Sequence, residues 1–208
     1  MNMTKPSIVV FDLGKVLLDF DYAIAARKIA ERCGLPPAEV KKHLDYSPVL
    51  FRYETGLMTR EAFFREIQRT TNFPGSIEEF SSFFADIFWE IPVMVELNAA
   101  LRRNRIPTYI FSNTNDLATE HIRRNFPFFA NFDGHILSYE IKAMKPDAKI
   151  YEELESMSGK RGAEILYLDD RQENVDAGAA RGWQVILQTE PEKSLAAMKA
   201  LGLPVGLS

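Results

Sequence analysis

Apolar residues along the chain fall into two kinds of pattern. Four short runs, SIVVF (7–11), IPTYIF (106–111), EILYL (164–168) and WQVIL (183–187), are nearly continuous in hydrophobic and β-branched residues. Continuity rather than alternation predicts strands of a parallel sheet covered on both faces. FDGHIL (132–137) reads as a fifth strand. Between the later runs, in VMVELNAALRRN, DAKIYEELESM and QENVDAGAARG, apolar positions recur every three or four residues and predict helices, with Gly182 as a stop for the last. Alternating strands and helices predict an α/β protein with a doubly wound, Rossmann-like parallel sheet.

Residues 21–90 break that rhythm. DYAIAARKIAERCG, PPAEVKKHLD, TREAFFREIQRT and SIEEFSSFFADIF each read as an amphipathic helix, with no strand among them. Pro36 suits the first turn of the second helix, and Thr59 and Ser76 suit N-caps. The expected organisation is an α/β core made of residues 1–20 and 91–208, with an all-helical cap, 21–90, inserted after the first strand. Phe63, Phe64, Phe80, Phe83, Phe84, Phe88 and Trp89 fall at helical spacing and read as the core of that cap.

Composition narrows the class. The 208 residues carry 25 Lys and Arg against 29 Asp and Glu, a net charge of −4, so no basic field points to nucleic acid or an anionic membrane. Asp86, Glu90 and Pro92 interrupt the longest apolar stretch, FFADIFWEIPVMV, which excludes it as a membrane span, and the apolar run near the N-terminus is too short for a signal peptide. With Cys33 the single cysteine, no internal disulfide can form, and a reducing, cytoplasmic setting is expected. His43, His121 and His135 lack the spacing of metal ligands.

Chemistry enters where polar residues first follow each strand. These are Asp12, Ser112 and the pair Asp169–Asp170, and in an open α/β sheet the ligand crevice lies beyond the carboxyl ends of the strands. Lys145, in AMKPDAKIY, precedes a helix and would be placed at the same edge by Pro146. Three gathered carboxylates repel one another unless cationic charge lies between them. Lys145 supplies one charge, and Mg²⁺, which accepts few carboxylates and leaves positions for phosphate and water, suits the rest. A metal, a lysine and a serine hydroxyl form a receptor for a phosphoryl group, which Asp12 could attack.

In order along the chain, VVFDLGKVL, IFSNTN, KPDAKIY and YLDDRQENVDAG resemble the four motifs of the haloacid dehalogenase superfamily, in particular its sugar-phosphatase branch, where the α-D-glucose-1-phosphate phosphatases stand. The resemblance covers essentially the whole chain, and four motifs in order are far more specific than any one. It implies a phosphatase acting on a small phosphorylated substrate, with Asp12 as nucleophile and metal ligand. The Gly14 carbonyl and Asp170 would ligate Mg²⁺, with Asp169 supporting it directly or through water. Ser112 and Asn113 would bind the phosphoryl oxygens, and Lys145 would neutralise the nucleophile–phosphate pair. One departure stands out: most phosphatases of the superfamily have a second Asp two residues after the nucleophile, as general acid and base, and here that position is Gly14. Loss of such a group costs on the order of 10²- to 10⁴-fold, so leaving-group protonation needs a substitute acid or an undemanding leaving group.

Other readings fit less well. A metal-independent 2-haloacid dehalogenase shares the aspartate but not the paired acids 169–170. A sugar-phosphate mutase needs proton transfer in both directions, against Gly14. A scaffold that lost turnover would not need Asp12, Lys145 and the acid pair together, and a receiver domain carries its acid pair early in the chain. Asn115 reads as a turn or N-cap residue and Asn174 as a structural helix residue. Glu54 and Gly56, in RYETGLMT, resemble a loop that faces the active site in related enzymes, and read equally as a helix end at Gly56 with Thr59 capping the next helix.

Overall fold

The computed structural model describes residues 5–206. β1 (Ile8–Phe11) leads through a tight loop into β2 (Leu18–Phe20), and the chain then forms α1 (Tyr22–Cys33), α2 (Pro37–Leu44), α3 (Pro48–Glu54), α4 (Arg60–Thr71) and α5 (Ile77–Ala85). β3 (Phe88–Glu90) brings it back. Strands and helices then alternate: α6 (Pro92–Arg103), β4 (Thr108–Ser112), α7 (Asp116–Asn125), β5 (Gly134–Leu137), α8 (Ser138–Ile141), α9 (Ala148–Ser158), β6 (Ile165–Asp169), α10 (Gln172–Ala180), β7 (Gln184–Leu187) and α11 (Pro191–Ala200).

Five strands form one parallel sheet in the order β5-β4-β1-β6-β7. β1 lies at its centre, which explains why its sequence is apolar throughout. Val9 and Phe11 enter the core beneath α6, α7 and α11, whereas Ile8 and Val10 enter the core beneath α9 and α10. Successive side chains of a strand point to opposite faces, so burial on both faces leaves no polar position. The sheet expected from the sequence is therefore present, with FDGHIL forming its fifth strand.

The helices α1–α5 surround a hydrophobic cluster of their own, built from residues such as Ile29, Val40, Tyr53, Phe63, Phe80 and Phe84. Tyr53 stacks on Phe63 with ring centroids 4.4 Å apart. Thr59 and Ser76 cap α4 and α5 as expected, accepting from the N–H groups of Ala62 and Glu79. Pro36 is the N-cap residue of α2, and Pro37 occupies its first turn.

Three expectations need correction. Residues 21–90 do contain a strand: β3 pairs antiparallel with β2, Leu18 opposite Glu90 and Phe20 opposite Phe88. The apolar run of α5 continues past its end at Ala85, which hid a three-residue strand inside a helical pattern. Trp89 accordingly lies outside the cluster and is 44% exposed. α3 adds a helix to those expected, its seven residues being too few to show a period.

No described helix is long and apolar enough to cross a membrane.

Candidate active site

Parallel strands bring the ends of β1, β4 and β6 to one edge of the sheet. The Asp12 N–H extends the ladder by donating to the Leu168 carbonyl at 2.8 Å, and its Oδ1 accepts from the Leu13 N–H at 2.7 Å. That oxygen also lies 2.9 Å from the Lys145 ammonium. Lys145 Nζ further donates to Asp169 Oδ2 at 2.6 Å and to the Phe111 carbonyl at 2.8 Å, so its three protons are all engaged. Burial pulls the Lys145 pKa down, but the charges of Asp12 and Asp169 outweigh it and hold the group above the usual lysine value.

Lys145 is held in place through its backbone. The Asn113 side chain donates to the Lys145 carbonyl at 3.0 Å and accepts from the Lys145 N–H at 2.8 Å, beside a cis Lys145–Pro146 peptide. Both ends of the Asn113 amide are thus engaged. Asn115 caps α7, accepting from the Ala118 N–H.

The two acids after β6 differ sharply. Asp169 is fully buried and accepts from Lys145, the Tyr167 hydroxyl, the Arg171 N–H and the Asn174 amide. Burial pushes its pKa up, but the Lys145 charge and these hydrogen bonds hold it below the usual range. A carboxylate offers about four acceptor positions, so Asp169 is saturated by protein donors. Asp170 faces the cleft, and burial and the neighbouring Asp169 raise its pKa. Asp12 is pushed up to about 7, chiefly by burial, with Asp169 and Asp170 adding to it and Lys145 opposing.

Asp12, Gly14, Asn113, Lys145 and Asp170 line a cleft of about 620 Å³ that runs between the sheet edge and the helices α2 and α3. Ser112 and Asp169 are almost wholly buried, 3% and 0% exposed, and are not on its wall. None of the aromatic residues predicted to form the cap core reaches the cleft; the aromatic rings there belong to Phe20, Tyr22, Tyr46 and Phe51. Glu54 also faces it, which the sequence had left open. Phe20 bears on Gly14: a Cβ at position 14 would lie 2.8 Å from Phe20 Cε1, so a ring occupies the space an aspartate there would need.

The donor set suits a hard divalent cation. Asp12, Asp169 and Asp170 offer carboxylate oxygens within 4.8 Å of one another. Asp12 and Asp170 both have raised pKa values in part because they face neighbouring negative charge, and Lys145 has no proton left to relieve it. A cation between them would favour both carboxylates. Oxygen ligands, two of them acidic, are those Mg²⁺ prefers.

A family model described as haloacid dehalogenase-like hydrolase matches residues 6–182. Among solved structures, a predicted haloacid dehalogenase-like hydrolase from Porphyromonas gingivalis superposes with a TM-score of 0.81 at 22% identity, over 95% of this chain and 98% of that one. An enzyme of the same family from Bacteroides thetaiotaomicron, in complex with magnesium and inorganic phosphate, gives 0.77 at 22% identity, over 87% and 93%. The L-2-haloacid dehalogenase of Xanthobacter autotrophicus gives 0.63 at 19% identity, over 95% and 83%.

Proposed function

Because the chain belongs to the haloacid dehalogenase-like hydrolases, we propose that it is a magnesium-dependent phosphatase that works through an aspartyl-phosphate at Asp12. One observation carries the reading: Asp12, at the end of the central strand, stands beside a second cleft-facing acid, Asp170, with the Lys145 ammonium next to it fully engaged. The magnesium and phosphate bound by the Bacteroides relative support it.

In this reading Asp12, the Gly14 carbonyl and Asp170 would hold Mg²⁺, which would supply positive charge to polarise the phosphoryl group and offset that of the acids. Asp169 holds Lys145 and the β6–α10 turn in place and would support the metal through water. Lys145 draws the Asp12 carboxyl toward its ionised form against burial and aims it. Asn113 offers its backbone N–H to the phosphoryl oxygens, since its side chain is engaged by Lys145, whereas Ser112 lies behind the cleft wall with its hydroxyl on the Asn113 carbonyl and supports that turn. Asp12 attacks phosphorus, the ester oxygen leaves, and water then hydrolyses the acyl phosphate. The helices of residues 21–90 act as the cap over the substrate. Tyr46 and Phe51, 82% and 57% exposed at the cleft, offer flat faces that suit a sugar ring and favour a sugar phosphate as substrate.

The Xanthobacter relative favours a second reading, a metal-independent dehalogenase, which would use Asp12 to displace halide. Asp170 argues against it, since a second carboxylate facing the nucleophile would repel an anionic haloacid. The test is release of phosphate from 4-nitrophenyl phosphate with Mg²⁺ and with EDTA. Turnover should need the metal and fall by roughly 10⁴-fold or more in Asp12→Asn. Persistence in EDTA would overturn the metal-dependent mechanism, and Asp12-dependent release of chloride from 2-chloropropionate in EDTA would establish the second reading.

A further inference from the structure

Gly14 removes the acid expected two residues after Asp12, and the Phe20 ring fills its place. Protonation of a leaving oxygen must then come from another wall of the cleft. Glu54, the last residue of α3, faces the same cleft as Asp12 and Asp170 from the opposite side of the chain's fold.

Its position is set by unusually close docking of the α3 end onto the core. The Glu54 carbonyl accepts from Ser138 Oγ at 2.6 Å, and the same hydroxyl accepts from the Thr114 N–H at 2.9 Å. One serine thus ties α3 to the segments that follow β4 and β5. Two residues on, Gly56 has φ +70° and lies so close to the core that a Cβ there would be 2.2 Å from the Tyr139 carbonyl oxygen. Only glycine tolerates both the left-handed backbone and that approach. Between them Thr55 is buried, with its hydroxyl on the Phe51 carbonyl at 2.6 Å. The helix-end and site-facing readings of RYETGLMT are therefore one feature: the stop at Gly56 is what delivers Glu54 to the cleft.

We propose that Glu54 is the acid that Gly14 lacks, donating its proton to the leaving oxygen of the substrate; the inference rests on the phosphatase reading above. As Asp12 Oδ forms its bond to phosphorus, the P–O bond to the leaving group breaks, and its electron pair takes the Glu54 proton to give a neutral alcohol. Water then attacks phosphorus of the acyl phosphate and returns a proton to Glu54. The Asp12–phosphorus bond breaks, and inorganic phosphate and the starting enzyme are restored.

The surroundings keep that proton available. Burial is the largest influence and, with Asp12 and Asp45, pushes the Glu54 carboxyl up to about 8, against Arg171 and hydrogen bonding from Asn115. The nearby carboxylates have other partners: Asp21 caps α1, Asp19 pairs with Lys15, Asp45 faces Lys41 at 3.4 Å and Glu173 pairs with Arg171.

The test compares kcat/KM, which reports the step that expels the leaving group, for an alkyl phosphate and for 4-nitrophenyl phosphate, with Mg²⁺ present. Glu54→Gln should lower it by roughly 10²- to 10⁴-fold for the alkyl ester, whose alkoxide needs a proton, and by less than about tenfold for the aryl ester. Equal losses on both, or no loss on either, would overturn the assignment while Asp12→Asn, inactive on both, left the phosphatase reading standing. Absence of Mg²⁺-dependent turnover in the unmodified protein would overturn that reading itself. Should Glu54→Gln not fold, Glu54→Asp, which keeps the acid one methylene shorter, must show the same larger loss on the alkyl ester, and a uniform loss would overturn the assignment.

Discussion

Asp169, buried at the sheet edge behind one wall of the cleft, and Glu54, at the end of α3 on the facing wall, are carboxyl groups whose surroundings act on them in opposite directions. Asp169 receives four donors, including the Lys145 ammonium, and its pKa is held below the usual range despite burial. Glu54 has no such set; Arg171 and Asn115 pull it down, but burial wins and its pKa rises to about 8. Burial alone does not decide the charge of an acid; the number of donors aimed at it does. The sheet edge is built to hold charge fixed, while the cap side offers an acid that can give up a proton and take it back.

The largest way to break this contrast is to remove the cation at the sheet edge. Lys145→Met leaves Asp12 and Asp169 facing each other with no ammonium between them. Loss of one partner of a buried ion pair costs about 3–5 kcal/mol. In a chain of this size that lowers Tm by roughly 10 °C, measured in EDTA so that no added metal compensates. A loss below about 1 kcal/mol would mean that the three-way contact at Lys145 does not hold the edge together.

The two sides also differed in how far the sequence revealed them. Asp12, Asp169 and Asp170 stand directly after continuous apolar runs, so strand periodicity alone placed them at one edge. Lys145 was legible only through Pro146. Glu54 ends a seven-residue helix too short for a period, although Ser47–Pro48 and Gly56 are ordinary start and stop signals that bracket it. Phe20 was hidden for a different reason. It reaches Gly14 because β2 pairs with β3, a strand from the far side of the helical insert, and local sequence carries no sign of that pairing. This changes what Gly14→Asp should do. With its Cβ 2.8 Å from a ring, the substitution costs about 1–3 kcal/mol by overpacking and does not simply restore an acid. Adding Phe20→Ala opens the space, so the double variant should lose less stability in urea unfolding than the two single losses added together. Strict additivity would show that the ring does not exclude the side chain.

The smallest effect concerns Glu54 itself, read as stability against pH in EDTA. Its folded pKa, about 8, lies above the ordinary glutamate value of 4.5. Between those values the folded protein binds a proton that the unfolded chain has released, so the stability this group contributes is complete below pH 4.5 and is lost as pH rises through about 8. Glu54→Gln keeps the neutral shape and cannot ionise. The variant should therefore match the unmodified protein near pH 5 and exceed it at pH 9. With water reaching the cleft side of the carboxyl, the gain is on the order of 1–2 kcal/mol. Asp12 and Asp170 titrate in both proteins and largely cancel in the difference. A difference that stayed flat from pH 5 to 9 would mean that Glu54 is ionised throughout, and the contrast between the two walls would collapse.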